Sequence, residues 1–273
     1  MSVLLSYKDD EMYFHHSLDA TPDPSEFFMH AHDMYELFFF VSGKGIYHIE
    51  GSSYSLTSGD VLVMQRAESH YIEIDPSCPY ERVVVQFNES VLSGLDRDGI
   101  LFAPFNKRIP GRMNLYRRED FENTHANFYV NRLRSSPPTT RLYVTSLLIS
   151  FLLELHQVFL GRHDEDTPPE STTATKIINY INLHLFDKLT LDDISRAVYI
   201  SKPQVCRVFK KATGSSVGEY VTAKRLLHAQ EMLRNGVPAT SVCASCGFAD
   251  YSSFYRSYIK HFGVSPATTL RGS

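Results

Sequence analysis

The chain has 273 residues, of which 43% are apolar, 12% aromatic and 21% charged. That is the make-up of an ordinary soluble protein long enough for two domains, and it excludes a disordered, collagen-like or disulfide-stapled chain. The net charge of −4 conceals a division, because residues 171–273 carry +7 and residues 1–170 carry −11, which points to a polyanion partner for the C-terminal third alone.

In chain order, Met1 to Asp10 does not read as a secretory signal, since Lys8 to Glu11 cuts off any apolar stretch. Four scattered cysteines fit a reducing cytoplasm. Residues 27 to 88 read as short strands, with Phe38–Val41, Ile46–Ile49, Val61–Met64, Tyr71–Ile74 and Val83–Phe87 as the candidates. Ser42-Gly43-Lys44-Gly45, Glu50-Gly51-Ser52-Ser53 and Ser58-Gly59-Asp60 are the turns between them, and the spacing predicts a small barrel or sandwich. Two helical patterns follow, one from about Glu119 to Arg134, the other from after Pro137-Pro138 to Leu160. Thr145, Ser146, Ser150, Glu154, His156 and Gln157 interrupt the second, so it is a buried or dimer-forming helix rather than a membrane span. Its apolar load, Leu147, Leu148, Phe151, Leu152, Leu155 and Phe159, suits either a dimer face or a cover for the barrel. The acidic, proline-containing stretch 161–173 reads as an exposed linker between a domain over 1–160 and one over 174–273.

The last segment is helical and contains a repeat. Ser201, Val205, Arg207, Phe209, Gly214 and Ser216 recur 49 residues later as Asp250, Phe254, Arg256, Tyr258, Gly263 and Ser265, while Ile194 and Ser195 recur 48 residues later as Val242 and Cys243. A turn longer by one residue in the second copy accounts for the slip. Each copy has the anatomy of a helix-turn-helix. Leu191, Ile194 and Val198 face the core, a turn follows at Tyr199-Ile200, Ser201 caps the second helix, and Gly214 ends it. The exposed side of that helix presents Pro203, Cys206 and Arg207; the second copy presents Tyr251, Ser252, Tyr255 and Arg256. An arginine so placed can donate two hydrogen bonds to a guanine edge. Lys202, Lys210, Lys211 and Lys260 are expected near phosphates, adding affinity rather than sequence information. Val217 to Arg234 reads as one helix, ~27 Å long at ~1.5 Å per residue, a strut able to separate two major-groove entries.

With these residues in view, residues 172 to 271 resemble the AraC/XylS family of transcription regulators. ISRAVYISKPQVCRVFKKATG (194–214) and GFADYSSFYRSYIKHFGVSP (247–266) carry the resemblance. It implies that Pro203, Cys206, Arg207, Tyr251, Ser252, Tyr255 and Arg256 face bases. It also implies a homodimer on paired half-sites, with the helices of 119–160 mediating dimerisation, and RNA polymerase as a partner. The chain departs from the family in Tyr258-Ile259, where Phe-Lys is usual, and in Ser195 and Cys243, where alanine is usual.

His30, His32, Glu36 and Gly43 fit the string HxHxxxExxxxxxG, with His70 eleven residues after Gly59. This resembles the two motifs of the cupin barrel, although Gln65, Ala67 and Ile74 replace the proline, glycine and asparagine of the second. The resemblance implies that His30, His32, Glu36 and His70 can hold a divalent transition metal. The same side chains, with Tyr47 and Arg82, and with Tyr35 and His48 as further candidates, can instead line a pocket for a small polar effector such as a sugar. Cys243-xx-Cys246 has no second pair and lies on an apolar helix face, so it reads as core packing.

The expected fold is therefore multi-domain α and β, a cupin-like β-barrel with helices followed by an all-α double helix-turn-helix. The expected function is a ligand-responsive, DNA-binding transcription regulator of the activator type, cytoplasmic and dimeric, without catalytic residues. The alternatives are a cupin metalloenzyme, or a metal-responsive regulator, using His30, His32, Glu36 and His70.

Overall fold

The computed structural model describes residues 2–271 apart from 28, 93, 123, 125, 136–139 and 163–171. By contact the chain divides into Met1–Phe28 with Met34–Glu170, and Met29–Asp33 with Ser171–Ser273. Most of the expected linker lies outside the described residues.

The first unit holds strands β1 (Ser2–Lys8), β2 (Met12–Asp19), β3 (Tyr35–Ser42), β4 (Gly45–Ile49), β5 (Ser52–Ser55), β6 (Val61–Met64), β7 (His70–Ile74), β8 (Tyr80–Phe87) and β9 (Leu115–Tyr116). They form a six-stranded sheet, β1-β2-β8-β3-β6-β9, and a three-stranded sheet, β5-β4-β7, with every pairing antiparallel. Four of these strands, β1, β2, β5 and β9, have no counterpart among the strands expected from sequence. The polar run His15-His16-Ser17 masks the alternation in β2, and its pairing with β8, from Met12↔Phe87 to Asp19↔Tyr80, supplies the missing stability. Ser52 and Ser53, expected in a turn, open β5 instead. The turn is confined to Glu50-Gly51, both left-handed (φ 48° and 79°), the backbone that a two-residue hairpin requires.

Strand periodicity separates two cores. Leu37, Phe39, Val83 and Val85, with Met12 and Phe14, face helices α1 (Ala103–Asn106), α2 (Ala126–Ser135) and α3 (Arg141–Leu160). Phe38, Phe40, Leu62 and Val84 face the small sheet and its Tyr47, Ile49 and Ile72. Each such side chain contributes ~1.5–3 kcal/mol on burial.

The helix expected from Glu119 to Arg134 is broken. A 3-10 turn, Arg118–Phe121, comes first. Thr124 Oγ1 then accepts the Ala126 N–H at 3.1 Å and starts α2 afresh. In α3, Leu148, Phe151, Leu152 and Leu155 are buried in the sheet–helix core, with Leu147 and Phe159 packed against it. The load named for a dimer face thus covers the sheet, while Leu142, Leu153 and Leu160 are the exposed apolar residues of α3. The helix is long and apolar enough to cross a membrane by length and composition, with 33% of its most apolar window buried.

The second unit contains α4 (Thr173–Leu183), α5 (Leu191–Val198), α6 (Lys202–Thr213), α7 (Val217–Arg234), α8 (Ala239–Ser245), α9 (Tyr251–Phe262) and α10 (Pro266–Arg271). One core gathers Ile177, Ile181, Ile194, Val205, Phe209 and Tyr220; the other gathers Leu226, Ala229, Leu233, Val242, Phe254 and Tyr258. Tyr199 and Gly247 hold the equivalent left-handed turn position, at φ 57° and 73°. The extra residue of the second turn, Ala249, lies between that position and the cap Asp250, which explains the slip from 48 to 49. Cys243 and Cys246 are buried, with the Cys246 sulfur 3.8 Å from the Met232 sulfur. Burial raises both thiols, Cys246 to about 11, so they pack as small apolar groups.

Candidate nucleic-acid interface and effector site

Both helix-turn-helix units build their exposed helix in the same way from caps inward. In α6 the Ser201 N–H donates to Gln204 Oε1 at 3.0 Å. Pro203 sits in the first turn, where its missing N–H costs nothing. Gly214, left-handed at φ 71°, ends the helix. In α9 Asp250 Oδ1 accepts the Ser253 N–H at 2.7 Å, and Gly263, at φ 73°, ends the helix. The bonds from Ser253, assisted by Arg256, hold the Asp250 carboxyl below its usual range, so the cap stays charged at neutral pH.

Val205 and Phe209, and likewise Phe254 and Tyr258, turn one face of each helix into a core. The opposite faces are open. Pro203, Cys206, Arg207, Lys210 and Lys211 are exposed on α6; Tyr251, Ser252, Tyr255, Arg256 and Lys260 are exposed on α9. The Tyr251 and Tyr255 rings lie 6.1 Å apart. Lys202 is also exposed, but its Nζ is 3.0 Å from Asp192 Oδ1, so an internal carboxylate competes for the cation expected at a phosphate. The unusual Tyr258 has a local reason, because its hydroxyl donates to Thr269 Oγ1 on α10 at 2.9 Å. Ser195 has one too, donating its hydroxyl to the Ile200 carbonyl across the turn.

In the first unit, the side of the large sheet that faces the small one is polar at one end. Alternation along β8 puts Tyr80, Arg82 and Gln86 on that side, and the register places Glu36 opposite Gln86. Gln86 Nε2 donates to Glu36 Oε2 at 2.8 Å, and the same oxygen stands 3.7 Å from His70 Nε2. His70 Nδ1 donates to the Glu68 carbonyl at 2.8 Å, which turns Nε2 toward Glu36. The Tyr47 ring stacks on His70 at 6.0 Å, and the Arg82 guanidinium lies 4.7 Å from the Tyr80 ring. Burial and the Glu36 charge raise the Tyr47 hydroxyl well above its usual range. His15, opposite Val84 on β2, is lowered to about 4 by burial and by Arg82. The cluster thus combines one arginine and one carboxylate with phenol, amide and imidazole groups.

Of the residues expected at a barrel site, Glu36, Tyr47, His70 and Arg82 come together here. Tyr35 does not, because it packs on the helix side against Phe87, Phe102 and Phe105. Neither does His48, which stacks on Tyr71 at 4.5 Å and bonds Ser53; both positions are one strand residue out of phase with the interior. Three members of the cluster went unrecognised in the sequence. Tyr80 and Gln86 were readable from Arg82 by a period of two, whereas His15 was hidden with β2. His30 and His32 lie on the 29–33 segment that groups with the second unit, their rings 6.1 Å apart. By itself the first unit supplies one imidazole and one carboxylate of the four-ligand set.

Comparison with known proteins identifies the domain type of each unit. Residues 18–128 match the family described as AraC-like ligand binding domain, and residues 194–272 match that described as helix-turn-helix domain. The chain is similar to the Msm operon regulatory protein of Streptococcus mutans, 22% identical over 86% of this chain and 83% of that one. It is similar to the HTH-type transcriptional activator RhaS of Escherichia fergusonii, 23% identical over 89% and 87%. The lactose operon transcription activator of Staphylococcus xylosus is 23% identical over 82% and 78%.

Proposed function

Since the chain belongs to the AraC family of DNA-binding transcription regulators, we propose that it reads two adjacent major-groove segments with α6 and α9 and answers to a small polyhydroxylated effector in the barrel. The observation that carries this is the pair of open recognition faces, each with an arginine at the equivalent position, Arg207 and Arg256, in a unit of charge +7. Arg207, Cys206 and Pro203 on one helix, and Tyr251, Ser252, Tyr255 and Arg256 on the other, take the base edges; Lys210, Lys211 and Lys260 take phosphates.

A sugar suits the barrel because its hydroxyls both donate and accept, matching the phenol, amide and imidazole groups around Glu36 and Arg82. The name of the S. xylosus relative ties that protein to a lactose operon. We read the role as regulatory rather than enzymatic, in keeping with the family matches and the named relatives, which are transcription regulators. Such a protein acts in the cytoplasm, with RNA polymerase as partner. We assign a homodimer to α3, whose residues 142, 149, 153 and 160 follow a 7-4-7 spacing along one side and include the exposed Leu142, Leu153 and Leu160.

Selection of bound sequences from a random duplex pool by the full-length protein tests the reading, with metal measured on the same sample. Two enriched elements about one helical turn apart are expected. No enrichment, together with stoichiometric metal, would overturn it in favour of an enzyme. Thermal shifts with a panel of sugars and sugar phosphates test the effector class, and a panel without any shift removes it.

A further inference from the structure

The two halves of the C-terminal unit share one helix and, among the described residues, no apolar core residue. Tyr220 and Val221 of α7 belong with the first core, while Leu226, Ala229 and Leu233 belong with the second. Where α7 passes from one core to the other stands Arg225. Its Nε donates to the Leu185 carbonyl at 2.7 Å and its Nη2 to the Asp187 carbonyl at 2.7 Å, both on the loop that leads into α5. Its Nη1 donates to the Gly247 carbonyl, in the turn between α8 and α9, at 2.6 Å. Beside this junction lies a cavity of about 760 Å³, lined by Leu189, Ile194 and Val217 from one half and Gly247, Phe248 and Ala249 from the other. Phe186 also bridges the halves, its carbonyl abutting Gly247 and its ring meeting His228 of α7 edge-on at 5.0 Å.

We propose that Arg225 is a positioning residue that sets the separation and angle of the two recognition helices, and thereby the number of base pairs the protein accepts between its half-sites. The guanidinium is a planar, rigid fork, so three carbonyls bound to it are held in one mutual arrangement. Those carbonyls belong to the segments that launch α5 and α9. Without the fork, the halves are joined by a helix of 18 residues that borders the cavity, and helices of this length curve rather than stay straight. One inserted base pair moves the second site by ~3.4 Å and rotates it by ~35°, a change that a hinge in mid-α7 can follow and a clamped unit cannot. The proposal rests on the paired reading of two major-groove segments.

The test uses the full-length protein and its selected site, with one base pair inserted or deleted between the elements, and a probe in which one element is scrambled. Wild type should lose at least tenfold in affinity on either altered spacing. Arg225→Met should bind the scrambled probe within about twofold of wild type, lose affinity for the intact site, and show a flattened profile across the three spacings. An equal loss at every spacing, or an unchanged profile, overturns the clamp. Should Arg225→Met fail to fold, Arg225→Lys decides: its ammonium cannot span three carbonyls, so a profile as steep as wild type overturns the proposal. A wild-type protein indifferent to spacing would instead overturn the paired reading, which keeps the two failures apart.

Discussion

Gly247 lies against the main chain of Phe186 so closely that a methyl group on its Cα would stand 2.5 Å from the Phe186 carbonyl oxygen. Gly263 has the same φ, 73°, but open space around it. The two glycines separate strain from contact. Gly263→Ala should cost about 1 kcal/mol, the price of a left-handed alanine. Gly247→Ala should cost about 2–4 kcal/mol, because main chain must also move. Chemical denaturation of both variants checks this, and equal losses would show that the loop yields freely.

Tyr199 presents the reverse case. It adopts φ 57° without being glycine, and it is 93% exposed, so its ring contributes little burial to offset the strain. Tyr199→Gly should therefore raise stability by about 0.5–1 kcal/mol. A lower melting temperature for that variant would count against the argument.

His15 makes the first unit sensitive to acid. Its imidazole titrates at about 4 in the fold, against an ordinary 6.5, because burial and Arg82 disfavour the cation. Between those values the unfolded chain binds the extra proton. Stability is thus complete above the unfolded value and falls as pH drops from 6.5 toward 4, by at most about 3 kcal/mol. Glu36, which favours the cation, and His16, which opposes it, are the other charged or titratable neighbours acting on the ring. His15→Gln should flatten this part of the stability profile, and an unaltered slope would show that another group is responsible.

Arg207→Ala and Arg256→Ala should each cost about 1–3 kcal/mol on the preferred site and relax sequence preference at one base position. Binding to a panel of single-base variants tests this. Uniform weakening across the panel would mean that the arginines touch only phosphate.

The C-terminal unit was largely legible because its information is local. Caps such as Ser201 and Asp250, stops such as Gly214 and Gly263, and the spacing of Val205 with Phe209 specify each helix from its own residues. Even the turn that differs between copies was visible as a one-residue slip. The barrel was legible where a strand carries a continuous apolar run, as Leu37–Val41 in β3 and Val83–Val85 in β8, and illegible where stability comes from a distant partner. The polar strand β2 exists through its pairing with β8, and Tyr35 and His48 were misassigned because one residue of strand phase exchanges interior for exterior.

The sequence by itself thus determined the family, the two classes of domain and the faces that α6 and α9 present, since helix periodicity and capping act within a few residues. Tertiary structure alone decided three things. It showed that Leu148, Phe151 and Leu152 cover the sheet, that Glu36, Tyr47, His70 and Arg82 gather with His15, Tyr80 and Gln86, and that Arg225 joins the two helix-turn-helix halves. Each depends on groups tens of residues apart meeting through strand register or through main-chain carbonyls, and a carbonyl looks the same at every position of a sequence.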